Sequence, residues 1–73
     1  MKIKITFEDH GQDFLWWVID TKTGKIIDCG PFQAWVWCEQ TVDQADSLKI
    51  GDRPLCKSGA GYRRLNYAIT QIE

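Results

Sequence analysis

Long apolar runs and an excess charge of one sign are both missing from this sequence. No run approaches the roughly 20 apolar residues of a membrane-spanning helix, and the N-terminus lacks a signal-peptide core. Nine Lys and Arg against ten Asp and Glu give a net charge of −1. Attraction of the whole molecule to nucleic acid or to an anionic membrane is therefore not expected. The 73 residues, 44% hydrophobic and 26% charged, predict a single small globular domain, 1–73, in the cytoplasm.

The cysteines show no metal-binding pattern. The three cysteines are Cys29, Cys38 and Cys56, and an odd number without a signal peptide favours reduced thiols. With His10 they make a Cys3His set, but no two of these ligands lie close together as they do in small zinc sites. The sequence therefore predicts free thiols, no metal and no cofactor.

The distribution of apolar residues predicts strands rather than helices. Alternating or β-branched segments, bounded by Gly, Pro and Asp turn signals, indicate six strands, at 2–8, 14–20, 25–29, 33–38, 53–57 and 62–72. Gly24 fits a left-handed turn position, and Gly59 to Gly61 a hairpin turn. Thr41 and Gln44 resemble a capping box for a short α- or 3₁₀-helix over 42–48. We predict an all-β fold with one short helix, an antiparallel meander curled into an SH3-like or OB-like partly open barrel.

Aromatic residues are abundant, with four Trp, three Phe and two Tyr. Trp16 and Trp17 are adjacent on a strand, so their side chains point to opposite faces. Asp20 lies at the end of the face that carries Trp16 and makes that face the more polar one. This places Trp17 inward and leaves Trp16 outside, against Phe32 or a partner. A small barrel cannot enclose every ring, so an outer Trp is either covered within the chain or exposed as a contact residue.

Charge is unevenly spread along the chain. Residues 1–48 carry a net charge of −4 and residues 49–73 a net charge of +3. A hairpin around Gly59 to Gly61 would bring Arg53, Lys57 and either Arg63 or Arg64 to one face. This stripe is a solvated surface or a binding surface for an acidic protein or for single-stranded nucleic acid.

These features favour a non-catalytic protein-interaction module. Trp17 or Trp37 is the candidate anchor, Trp16 takes that place if Trp17 points inward, and Arg63 or Arg64 orients the partner. The candidate binding residues are Trp16, Trp37, Arg53, Lys57, Arg63 and Arg64. The alternative is single-stranded nucleic-acid binding by the same aromatic and basic surface.

A third hypothesis is a small enzyme built around His10 and a cysteine. Glu8, Asp9, His10 and Asp13 form the densest polar cluster in the sequence. An exposed turn would hold the imidazole poorly, and a domain of this size has little room for a substrate pocket. We therefore expect no catalysis.

Two segments, 9–17 and 27–35, carry a resemblance to known sequences. They read Asp-His-Gly-Gln-Asp-Phe-Leu-Trp-Trp and Ile-Asp-Cys-Gly-Pro-Phe-Gln-Ala-Trp. They look like small uncharacterised proteins of gut-type bacteria and their mobile elements. The resemblance covers most of the chain and implies no activity.

Overall fold

The chain folds into two antiparallel β-sheets with almost no helix. The computed structural model describes residues 1–10, 13–30, 40–59 and 61–73, of which residues 9, 10, 13 and 14 are described by their backbone alone. The strands are β1 (Lys2–His10), β2 (Asp13–Asp20), β3 (Ile26–Gly30), β4 (Thr41–Val42), β5 (Leu55–Ser58), β6 (Gly61–Arg64) and β7 (Ile69–Ile72), and a 3₁₀ turn spans Ala45–Ser47. The predicted all-β class is confirmed, whereas no closed barrel is found among these strands.

The first sheet has four strands in the order β3-β2-β1-β7. Ile5 lies opposite Trp17, and Trp17 opposite Cys29, so these three side chains share the inner face. β1 is irregular between Thr6 and Asp9, where the register with β2 shifts by one residue. β1 continues to His10, so it includes Asp9 and His10, which lie beyond the predicted first strand over 2–8. Both residues instead pair with β2.

The second sheet has three strands in the order β4-β5-β6. Backbone hydrogen bonds link it to the first sheet at two places. The Val42 N–H donates to the Gly24 carbonyl (2.7 Å), and the Ile69 N–H donates to the Asp52 carbonyl (2.9 Å). Gly24 has a φ of 75°, as its predicted left-handed position requires, and a Cβ there would lie 2.5 Å from the Val42 carbonyl oxygen.

The core lies between the two sheets and holds the largest apolar side chains. Trp17 is completely buried, as predicted, and meets Phe7 edge to face with 4.7 Å between ring centroids. The first sheet supplies the alternating residues that the sequence places inward, and the second sheet closes over them. The described buried hydrophobic residues are Ile5, Phe7, Trp17, Ile19, Ile26, Cys29, Val42, Ala45, Cys56, Leu65 and Ile69.

The predicted long strand from Tyr62 to Ile72 is wrong. Leu65 still bonds to the second sheet, because its N–H donates to the Pro54 carbonyl (2.8 Å), but Ile69 pairs with Phe7 of β1. The chain therefore crosses from one sheet to the other at residues 65–68. Leu65 and Ile69 fit a continuous alternation because each enters the same core, although from different sheets.

Of the predicted helix over 42–48, only the 3₁₀ turn at Ala45–Ser47 forms. Thr41 and Val42 are strand residues, and the Asp43 N–H donates to the Leu55 carbonyl (2.8 Å), so the second sheet uses this backbone. Gln44 is itself the N-cap of the turn, with no side-chain capping bond, and the predicted capping box does not form. The fifth strand begins at Leu55 rather than at residue 53. The predicted strand over 33–38 lies outside the described residues.

Candidate interaction surface

The exposed face of the second sheet gathers most of the predicted basic residues. Leu55 lies opposite Arg64, and Lys57 opposite Tyr62, and residues opposite one another in an antiparallel pair share a face. Cys56, between them, points into the core, so this face points away from it. Arg53 precedes Leu55 by two positions and falls on the same side. We call the surface formed by Arg53, Lys57, Tyr62 and Arg64 the basic face.

Hydrogen bonds to the main chain hold two guanidinium groups on the basic face. Arg53 Nε donates to the Leu65 carbonyl (3.0 Å), and Arg53 Nη2 to Asn66 Oδ1 (3.3 Å). Arg64 Nη1 donates to the Arg53 carbonyl (2.9 Å). Side chains held in this way lose less rotamer freedom when a ligand binds. Neither Arg forms an ion pair with a described residue, and Lys57 does not either, so none of the three cations has a described carboxylate oxygen within 4.0 Å.

Tyr62 provides an exposed aromatic ring among these charges. Its side chain is 62% exposed, and Lys57 Nζ lies 5.7 Å from the ring centroid. That distance is within the range of a cation–π contact. The ring can serve as an aromatic anchor for a protein or as a stacking surface for a base.

A shallow cleft of about 370 Å³ adjoins the basic face. Arg53 and Arg64 line one side of it, the half-buried Leu55 forms part of its wall, and Asp43 and Asp52 contribute carboxylates. This volume is at the lower end of the range for ligand pockets. The cleft suits a single side chain that carries both polar and apolar atoms.

Gln44 also lines this cleft and has an unusual backbone conformation. Its φ of 52° and ψ of 45° are left-handed, and it is the one described non-glycine residue with a positive φ. A left-handed conformation costs a residue with a Cβ about 1–2 kcal/mol. Gln44 also lines a second hollow of about 330 Å³ near the turn at 21–23. It therefore lies between the cleft and this hollow.

Arg63 points to the other side of β6, because it lies opposite the buried Cys56. Burial raises the pKa of the Cys56 thiol from 9.0 to about 11, and the positive charge of Arg63 lowers it by a smaller amount. Since the thiolate is the nucleophilic form, a buried and neutral Cys56 is poorly suited to covalent catalysis. Cys29 is also buried and forms no disulfide bond. Cys38 and the His10 side chain lie outside the described residues.

Trp16 lies away from the basic face. It is half-buried on the outer side of the first sheet, where Lys4 Nζ lies 4.8 Å from the ring centroid. Its neighbour Trp17 fills the core between the sheets, so Trp16 points away from the second sheet. The structure therefore does not join Trp16 to Arg53, Lys57 and Arg64 in one site.

Of the other predicted aromatic anchors, one needs correction and one lies outside the described residues. Trp17 cannot be a contact residue because it is fully buried. Trp37 and Phe32 lie outside the described residues. The aromatic residue that does adjoin the cations is Tyr62, which the register of the predicted hairpin around Gly59 to Gly61 would have placed opposite Lys57. Nothing in the sequence indicated that Asp43 and Gln44 would line the cleft, because their positions depend on strand β4, which was not predicted.

The described residues include no group of three or more His, Cys, Asp or Glu side chains placed to hold a metal ion. Within the same ranges, no helix has the length and apolar character needed to cross a membrane. A scan against protein-family models found no match to this chain, and searches of curated proteins and of solved structures found none either.

Proposed function

We propose that this chain is a non-catalytic protein-interaction module whose basic face binds an acidic segment of a partner protein. The observation that carries the proposal is the grouping of Arg53, Lys57 and Arg64 around the exposed ring of Tyr62, with no ion pair to a described residue. Tyr and Arg are enriched among the residues that dominate binding energy at interfaces. Guanidinium groups also form strong charge-assisted hydrogen bonds with carboxylates.

The same proposal includes a fold and a location. The two sheets form the walls of an SH3-like or OB-like partly open barrel, supported by the hydrogen bonds that link Val42 to Gly24 and Ile69 to Asp52. The module acts in the cytoplasm, where its thiols stay reduced. Its kinship with small proteins of gut-type bacteria and their mobile elements is part of the proposal and adds no activity to it.

Single-stranded nucleic acid is the second candidate ligand, and the contact between Lys57 and Tyr62 favours it. Nucleic-acid grooves combine cations with aromatic rings on which bases stack. Against this reading, Asp43 and Asp52 line the adjoining cleft and would repel a phosphate chain that extends past Arg64, because every nucleotide carries a negative charge. A protein segment can instead place its acidic residues on the basic face and a neutral side chain in the cleft. We therefore rank the acidic protein segment first.

Fluorescence anisotropy tests the two candidates. The probes are a labelled peptide in which glutamate alternates with valine, its lysine counterpart, and a labelled oligothymidylate. We expect the acidic peptide to bind, and the double variant Lys57→Gln/Arg64→Gln to lower its affinity about fivefold or more. Lys2→Gln, an exposed cation of the first sheet, is the matched control and should leave the affinity unchanged.

A salt series identifies the ligand class. Binding of oligothymidylate with a steep log–log loss of affinity as salt rises, together with no binding of the peptide, would replace the protein-interaction proposal by the nucleic-acid one. Equal binding of the acidic and lysine peptides would show that the basic face does not select its ligand.

A further inference from the structure

The outer edge of β6 forms a second recognition feature beside the basic face. β6 is the last strand of the second sheet, and all four of its residues are exposed. Its register with β5 runs without a shift from Ser58 and Gly61 to Leu55 and Arg64. The described strand therefore has neither the bulge nor the proline that often blocks further pairing at a sheet edge.

The hydrogen-bond alternation shows which backbone groups face outward. The Leu65 N–H donates to the Pro54 carbonyl of the β5 side. In an antiparallel ladder, every second residue of a strand directs its N–H and C=O groups to the same neighbouring strand. Arg63 and Gly61 therefore also bond to β5. The N–H and C=O groups of Tyr62 and Arg64 then point away from the sheet. No described strand pairs with them.

We propose that an extended acidic segment of a partner protein pairs with this edge as a fourth strand of the second sheet. This inference rests on the proposed function and specifies how the partner is held. Main-chain hydrogen bonds to Tyr62 and Arg64 provide affinity, as in other cases of strand addition.

The charges around the edge define the chemistry of the added strand. Arg64 and Lys57 lie on one side of the sheet and Arg63 on the other, so an added strand meets a cation on both of its faces. Acidic side chains on either face therefore gain an opposite-charge cross-strand neighbour. A second copy of this chain is disfavoured at the same edge, because pairing β6 with β6 would bring the arginines of one copy close to those of the other.

The experiment compares the glutamate–valine peptide with an analogue methylated at every backbone nitrogen. Both carry the same charges, but only the unmethylated peptide can donate main-chain hydrogen bonds to β6. We expect methylation to lower the affinity about tenfold or more, since several hydrogen bonds are lost together. Amide exchange by NMR should slow at Tyr62 and Arg64 when the unmethylated peptide binds, and should change little at Arg63, which already bonds to β5.

Variants separate this inference from the proposed function. Arg63→Gln lies off the basic face and should leave the affinity for the glutamate–valine peptide nearly unchanged, because an added strand places all of its glutamates on the side of Lys57 and Arg64. Lys2→Gln is again the control. Equal binding of both peptides without new protection at Tyr62 and Arg64 overturns strand addition while leaving the basic face as the contact surface. Binding of oligothymidylate alone overturns both.

Discussion

At the scale of single residues, Trp16 and Trp17 are adjacent but have opposite surroundings. Trp17→Ala should abolish folding, because truncating a core Trp costs about 3–5 kcal/mol and a small domain has little stability to lose. Trp16→Ala should stay folded and lose about 1–2 kcal/mol, since its ring is half-buried and stacks with Lys4. Urea titration followed by far-UV circular dichroism measures both. A folded Trp17→Ala with an unfolded Trp16→Ala would contradict the orientation of β2.

Gly30 allows the Trp16 ring to lie against the backbone of β3. A Cβ at this position would overlap the indole ring, so Gly30→Ala should lower the free energy of unfolding by about 1–3 kcal/mol through overpacking. Gly59→Ala is the control, because a Cβ there meets nothing within 4 Å. It should stay within about 0.5 kcal/mol of the parent.

A double variant identifies the source of that cost. If the ring causes the strain, Gly30→Ala should cost less in a Trp16→Ala background than in the parent chain. Equal costs in the two backgrounds would show that Trp16 is not the obstacle.

The Cys56 thiol makes stability depend on pH in the alkaline range. Its pKa is about 11 in the folded chain, against 9.0 for an unperturbed thiol. The unfolded chain therefore releases this proton first as pH rises. The contribution of the neutral Cys56 thiol to the free energy of unfolding is complete below about pH 9 and is lost as the pH rises from about 9 to 11. This contribution amounts to roughly 2–3 kcal/mol. Urea midpoints at pH 8 and pH 11 should differ more in the parent than in Cys56→Ala, and equal differences would contradict the role of the thiol.

At the scale of elements, the residue before the 3₁₀ turn carries strain. Gln44→Gly removes the left-handed penalty but adds unfolded-state entropy, so we expect stability to be unchanged or to rise by about 1 kcal/mol. Gln44→Val should lower the free energy of unfolding by more than about 1 kcal/mol, because a β-branched residue strongly disfavours the left-handed conformation. Urea midpoints of the three chains provide the comparison. A Val variant as stable as the Gly variant would be inconsistent with a left-handed Gln44.

Strands β1, β2 and β3 were predictable because alternation and turn signals act locally. The inward direction of Trp17 follows from its neighbours and from Asp20. The split between β6 and β7 was not predictable in this way, because Leu65 and Ile69 keep the alternation of one strand while they belong to two sheets. Long-range pairing also explains the missed strand β4, whose backbone bonds to Gly24 and Leu55.

The candidate surface was predictable in its charges and only partly in its aromatic residue. Arg53, Lys57 and Arg64 follow from the hairpin around Gly59 to Gly61, since strand period and register place them on one side. Trp16 was expected to join them because sequence alone does not reveal on which side of the core each sheet lies. Tyr62 takes that role through its position opposite Lys57.

At the scale of the whole molecule, the first and last strands hold each other in place. Ile5 lies opposite Ile72, and Lys4 and Glu73 exchange two backbone hydrogen bonds of 3.0 and 2.8 Å. Deleting residues 69–73 should therefore unfold the chain, because it removes Ile69 from the core and leaves the outer edge of β1 unpaired. Deleting Glu73 alone should leave a folded chain with a modest loss of stability. Circular dichroism of both truncations tests this, and a folded chain lacking 69–73 would show that β7 is dispensable.

The pairing of β1 with β7 also means that the two chain ends lie side by side. A short glycine linker from Glu73 to Met1 would close the backbone into a ring without disturbing either sheet. New ends opened in the exposed turn at 21–23 would give a circular permutant in which β1 and β7 become a hairpin. That permutant makes the pairing of β1 with β7 local but places β2 and β3, which also pair, at opposite ends of the chain. Its folding rate should therefore stay close to that of the parent chain, while it presents the same β6 edge.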